Sequence, residues 1–169
     1  MKITLYHEVD PSNEEKILQE GIHQEAEGEK TDDENKKVDA FLDENIPPEL
    51  DQLNVRRDEV IYAYMEYFDS IIDIRDGEYV PVDEFVDRND QTLLKLTVDS
   101  GDCFVSDLDT YDTLLNAMEA DEYEGRLKYL AAQYWDTVIP YDKYELGTYD
   151  RPEILITQDV SPSAIEVVK

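Results

Sequence analysis

Ile3, Leu5 and His7 alternate with Thr4, Tyr6 and Glu8, the two-residue period of a strand whose faces meet different surroundings. Asp10-Pro11 turns the chain, and Ser12 with Glu15 three positions on has the form of a capping box that opens a helix. Ile17 and Leu18 then fall on the core side of that helix, Gly21 supplies the left-handed residue that stops it, and Ile22 follows in place for an apolar contact. After a polar stretch over 23–30, Thr31 and Glu34 form a second capping box, and Val38, Phe41 and Leu42 make one apolar stripe on a helix ending near Asn45, before Pro47-Pro48. The run 60–65 has the composition of a central strand, with Ile61, Ala63 and Met65 on one side and Val60, Tyr62 and Tyr64 on the other. Asp76-Gly77 marks a turn, and residues 82–86 form a short helix. Residues 92–98 read as a strand, 99–102 as a turn, and 103–106 as a shorter strand or extended segment, either returning as a hairpin or passing from strand to loop. Asp107 or Asp109 caps a helix through Leu114, Leu115 and Met118. A second helix carries Leu127, Leu130, Ala131, Tyr134 and Trp135. Tyr141, Tyr144 and Tyr149 crowd a loop containing Gly147, and a last apolar strand starts at Glu153.

These elements predict one domain over residues 1–169, of α+β class, with a mixed, largely antiparallel sheet and flanking helices. A hydrophobic fraction of 41% and twelve tyrosines separate the chain from disordered polyanions. Charge then changes the picture: 43 acidic residues against 15 basic ones leave a net charge of −28, and the acids run along the whole chain. They must therefore coat the folded surface. Such a coat has three readings: adaptation to high salt, which screens self-repulsion; mimicry of nucleic acid toward a basic protein partner; or ordinary acidic solubility. Direct binding to a nucleic-acid backbone is not expected, because only Lys36-Lys37 and Arg56-Arg57 are paired cations. Cys103 is the sole cysteine, so no internal disulfide forms, and with only His7 and His23 as histidines no metal centre is expected. No apolar run has membrane length, and a soluble, cytoplasmic protein is the expectation.

Two segments carry a resemblance. The strand delivering His7 and the following helix, Ile17-Leu18-Gln19-Glu20-Gly21-Ile22, resemble the opening of the ADP-ribosyltransferase-like superfamily. The segment Arg151-Pro152-Glu153-Ile154-Leu155-Ile156, continuing through Val160-Ser161-Pro162 to Ile165, resembles the late strand pair of those proteins, in which the glutamate is often catalytic. The resemblance implies an ADP-ribosyltransferase-like fold and NAD as substrate, with cleavage of the bond between nicotinamide and ribose. It further implies Glu153 as the catalytic carboxylate and His7 as a hydrogen-bond partner of the adenosine ribose. Tyr62 would pack on the nicotinamide, or would be a core aromatic. Arg57 would meet a phosphate, or hold an acidic neighbour, or form a surface salt bridge. One departure stands out: Arg151 occupies the place two residues before Glu153, so the two-glutamate pattern of arginine-modifying members is missing.

In that chemistry the leaving group is already cationic and departs neutral, so the protein chiefly stabilises an oxocarbenium-like ribose, as in glycoside cleavage. A carboxylate held against the ribose does this by electrostatics and orientation. The acceptor of the ADP-ribosyl group is unnamed by the sequence. The alternative is a non-catalytic acidic binding protein, an antitoxin or nucleic-acid mimic, with Glu153 a solvated carboxylate at a strand end.

The charge generates a first prediction. Raising KCl from about 0.1 M to about 1 M shortens the Debye length from about 10 Å to about 3 Å. Salt adaptation expects the thermal midpoint to rise by several degrees over that range, whereas an unchanged midpoint would leave mimicry or ordinary acidity as the reading.

Overall fold

A computed structural model describes residues 1–24 and 32–168. The amino-terminal alternation becomes β1 (Lys2–Val9), followed by a 3₁₀ turn and α1 (Glu14–Glu20). Next come α2 (Asp33–Glu44), α3 (Pro48–Asp51) and β2 (Ile61–Tyr67). The middle of the chain holds β3 (Ser70–Ile72), β4 (Tyr79–Pro81), α4 (Val82–Phe85) and β5 (Thr92–Asp99). β6 (Cys103–Asp107), α5 (Leu108–Glu119) and α6 (Glu124–Thr137) follow. The chain closes through β7 (Ile139–Pro140), β8 (Pro152–Ile156) and β9 (Ile165–Val167).

The strands form one open sheet in the order β7-β6-β8-β2-β1-β5-β9, with β3 attached to the end of β2 and β4 to β3. Its strand pairs among the described residues are antiparallel, so the class is mixed α and β on an antiparallel sheet. No helix among the described residues is long and apolar enough to cross a membrane.

The hairpin anticipated between 92–98 and 103–106 does not form. β8, β2 and β1 lie between β5 and β6, and β6 pairs with β8. The turn over Ser100–Asp102 explains the crossing: Asp99 accepts the Gly101 N–H, and the Asp102 carbonyl accepts both the N–H and the hydroxyl of Thr157 at 2.9 Å. The turn is thereby tied to the end of β8 and delivers β6 to that side of the sheet.

Helix starts also differ in detail. Asp10, not Ser12, caps the first turn, accepting the Ser12 N–H at 2.9 Å, because Pro11 opens a 3₁₀ turn before α1 begins. Asp32 caps α2 by accepting the Asn35 N–H at 2.8 Å, and the Thr31 capping box lies outside the described residues. Leu18 is 39% exposed, since α1 is only seven residues long and turns Ile17 alone inward. Gly21 does stop α1, with φ of 85°. There the chain passes so close to Val160 that a Cβ would sit 2.3 Å from its carbonyl oxygen.

One side of the sheet buries Leu5, Ile61, Ala63, Met65, Leu94, Leu96, Ile154 and Ile156 under α1, Ile22 and Val160, with the tyrosines of the 141–149 loop packed alongside. The other side buries Val60, Phe104 and Leu155 under α2, α5 and α6, whose contributions include Leu42, Leu114, Tyr134 and Trp135. The Trp135 indole donates to the Leu42 carbonyl at 2.8 Å, joining α6 to α2. A third cluster sets Tyr6 and Leu93 against Ile71, Val80 and Phe85, under β3, β4 and α4.

Candidate functional site

β1 and β2 pair only at Leu5–Met65 and Tyr6–Tyr64. Beyond that point β1 continues on β5 and β2 on β8, so the ladder between them opens. His7 stands at the opening, its Nδ1 2.6 Å from the Tyr62 carbonyl. For a carbonyl partner Nδ1 must carry the proton, so the imidazole bridges two strands whose backbones have parted. A cavity of about 150 Å³ adjoins the opening, lined by His7, Glu8, Tyr62, Tyr64, Ile74 and Glu153.

Register distributes these side chains over two faces. Leu5, His7 and Val9 share the face of Met65 and Ile154, by the two-residue period of the strand. Glu153 lies opposite Tyr64 and Ser106, on the face of Tyr6 and Tyr62. His7 therefore meets the cavity through the gap in the ladder, while Glu153, Tyr62 and Tyr64 line it from their own side. The sequence candidates His7, Tyr62 and Glu153 are thus brought to one opening. His7 and Glu153 are each 6% exposed.

Arg57 precedes β2 and is 5% exposed, so it is not a surface salt bridge. Of its three sequence readings, the acidic neighbour is the one realised, and there are two. Nε donates to Asp39 Oδ1 at 2.9 Å, and Nη1 to Glu153 Oε1 at 2.8 Å and to the Tyr134 hydroxyl at 2.7 Å. The Tyr111, Tyr62 and Tyr134 rings surround the guanidinium at 4.4, 4.6 and 5.4 Å, within cation–π range. Tyr62 also donates its hydroxyl to the Arg57 carbonyl, and Tyr111 donates to Asp39 at 2.9 Å. One face of the Tyr62 ring is accordingly occupied by Arg57.

The backbone of Arg57 is held as firmly as its side chain. The Asp43 carboxylate accepts the N–H of Arg57 at 2.7 Å and that of Asp58 at 3.1 Å. Asp39 and Asp43 stand four residues apart on α2, one turn above the other on the same face. Sequence reasoning missed both, as well as Tyr111 and Tyr134. The available signal was that Asp39 and Asp43 adjoin Val38 and Leu42 on the inward stripe, where an unpaired carboxylate would be costly and a buried cation is therefore implied.

Charge and burial oppose each other here. Burial pushes the Glu153 carboxyl upward, and the Arg57 charge and hydrogen bond pull it back toward the ionised form. Burial alone would lower the Arg57 value, but the facing tyrosines and carboxylates hold it well above the ordinary one. Asp43 accepts from two N–H groups, and burial, followed by the neighbouring Asp58 carboxylate, pushes it up to about 7.

A further buried carboxylate, apart from the Arg57 cluster, steadies the adjoining hairpin. Asp73 is fully buried, and although burial would raise its value, hydrogen bonds from Arg75 and Arg88, at 2.9 and 2.7 Å, hold it below the usual range. Glu8 accepts from the hydroxyl of Tyr64 and the amide of Asn89, closing the cavity on the β1 side. His23 is exposed and meets Asp159 at 3.3 Å. The described residues contain no group of three or more metal-ligating side chains.

Two predictions follow from the ion cluster. Arg57→Met leaves Asp39 and Glu153 buried without their cation and is expected to cost about 3–5 kcal/mol in urea denaturation. A second substitution, Glu153→Gln, should recover part of that loss. For Asp43 the folded value of about 7 lies above the ordinary 3.8, so its contribution to stability is present below the unfolded value and lost as pH rises through the folded one. Unfolding free energies of wild type and Asp43→Asn should therefore diverge in the variant's favour between about pH 4 and about pH 7, then run parallel.

Compared with known protein families, with curated proteins and with solved structures, the chain matches none.

Proposed function

We propose that the opening between β1 and β2 is a site of NAD cleavage, with transfer of the ADP-ribosyl group to an acceptor or to water. The observation that carries this reading is convergence: His7, Tyr62 and Glu153, far apart in the chain, border one cavity where the sheet ladder parts. In this reading the open antiparallel sheet with its flanking helices is of the ADP-ribosyltransferase-like kind, and the protein works in the cytoplasm.

The carbon–nitrogen bond to nicotinamide breaks, and its electron pair leaves with the neutral base. Glu153 then faces the cationic ribose, with the Arg57 charge and hydrogen bond offsetting part of the burial that raises its value. Tyr62, its ring backed by Arg57, offers an aromatic surface to the nicotinamide, and His7 orients the ribose. The cavity, at about 150 Å³, is smaller than typical small-molecule sites of about 300–1,000 Å³. It accepts one ring of the dinucleotide, and β1 and β2 must part further, where their pairing has already ended, to admit the remainder.

A second reading draws on a different observation. Glu153 is almost fully buried and paired with Arg57, as a carboxylate holding a core together would be. On that reading the protein is a non-catalytic acidic binding protein, and its coat of carboxylates meets a basic protein.

Calorimetry with NAD in high KCl, with nicotinamide release followed in parallel, separates the two. The enzyme reading expects NAD to bind wild type and Glu153→Gln alike, with release reduced by about 10²–10³ in the variant. Well-folded wild type that neither binds nor cleaves NAD would falsify it and leave the binding protein.

A further inference from the structure

The far end of β2 from Tyr62 presents a feature that the NAD reading does not use. Tyr67 pairs with Ser70, which leaves Phe68 and Asp69 as a two-residue hairpin loop. Phe68 has φ of 54° and is 78% exposed. The first central position of such a loop, when it alone has positive φ, ordinarily takes glycine, and a bulky side chain there is strained. A large apolar ring is therefore held in water by a backbone that disfavours it. Strain of this kind at an exposed tip points to a contact made by the ring.

Phe68 does not stand alone. The Tyr67 ring meets Phe68 edge-on at 4.7 Å and Tyr79 of β4 edge-on at 5.3 Å, and both tyrosines are exposed. The strands that carry the rings are anchored, since Ile71 of β3 and Val80 of β4 are buried and Asp73 binds Arg75 and Arg88. The exposed carboxylate of Asp69 follows Phe68 in the loop, and Glu78, which precedes Tyr79, reaches Arg88 at 3.3 Å. Aromatic faces beside carboxylates suit a guanidinium, which stacks on rings and pairs with carboxylates at once.

We propose that Tyr67, Phe68 and Tyr79 form a docking surface for an arginine-rich segment of a basic partner protein. Charge complementarity decides the occupant: a chain of net charge −28 attracts a cationic segment. Stacked bases would bring phosphates to a surface without the cationic groove that tracks a nucleic-acid backbone. A second copy of this chain would bring the same negative charge. The proposal is independent of NAD cleavage, and its test reads binding alone.

The test titrates fluorescein-labelled decaarginine with the full chain at about 0.15 M KCl, where the Debye length is about 8 Å, and follows anisotropy. Wild type is compared with Phe68→Gly, with Phe68→Asn, and with Asp33→Asn, which removes a carboxylate on α2. Glycine and asparagine both tolerate positive φ, so both Phe68 variants should keep or raise the thermal midpoint while affinity falls about three- to tenfold. Asp33→Asn should bind as wild type does. Equal affinity in well-folded Phe68 variants would overturn the proposal, showing attraction by the acidic coat alone. So would a lowered midpoint in both variants, tighter binding of a single-stranded oligonucleotide, or a wild-type dimer in sedimentation that Phe68→Gly dissociates.

Discussion

The interaction on which this structure turns is the burial of one guanidinium, Arg57, between two carboxylates and among three tyrosine rings. Asp39 belongs to α2, Glu153 to β8, Tyr62 to β2, Tyr111 to α5 and Tyr134 to α6, so one side chain touches every layer on that face of the sheet. A buried ion cluster adds little net stability over a well-packed apolar one, yet removing one member is expensive because its partners stay behind in low dielectric. Its effect is geometric: the cluster allows one placement of α2 relative to β2 and β8, with Asp43 locking the loop between them.

That placement also shapes the opening beside it. Arg57 meets Glu153 and Tyr62 on one face of the strand pair β2–β8, while β1 follows β5. The two halves of the sheet part after Tyr6 and Tyr64, and His7 spans the gap with a side chain where backbone bonds end. The carboxylate that pairs with Arg57 in the core thus also lines the cavity at the opening.

Much of the outline was legible in the sequence. The alternation of Ile3, Leu5 and His7, the two-sided run at 60–65 and the apolar run after Glu153 are each central strands. The apolar stripes through Val38 and Leu42, and through Leu130 and Tyr134, are helices on one face. These signals are local, since a period of two or of about three and a half residues reports which side of an element meets the core. Gly21 was equally legible, because a left-handed stop has few other solutions.

What only the tertiary structure decided is who meets whom. Strand order carried β6 past three strands to β8, because the Asp102 carbonyl is claimed by Thr157, a partner 55 residues away. Arg57 reads in sequence as one of a pair of surface cations, and its burial follows from Asp39, Glu153 and Tyr134, at separations of 18, 96 and 77 residues. The physical reason is the same in both cases: local periodicity reveals a residue's environment, whereas ion pairs and strand neighbours depend on contacts that only folding makes. By itself the sequence determined the elements, their inward faces and the acidic coat, and the folded chain alone turned Arg57 and Glu153 into partners.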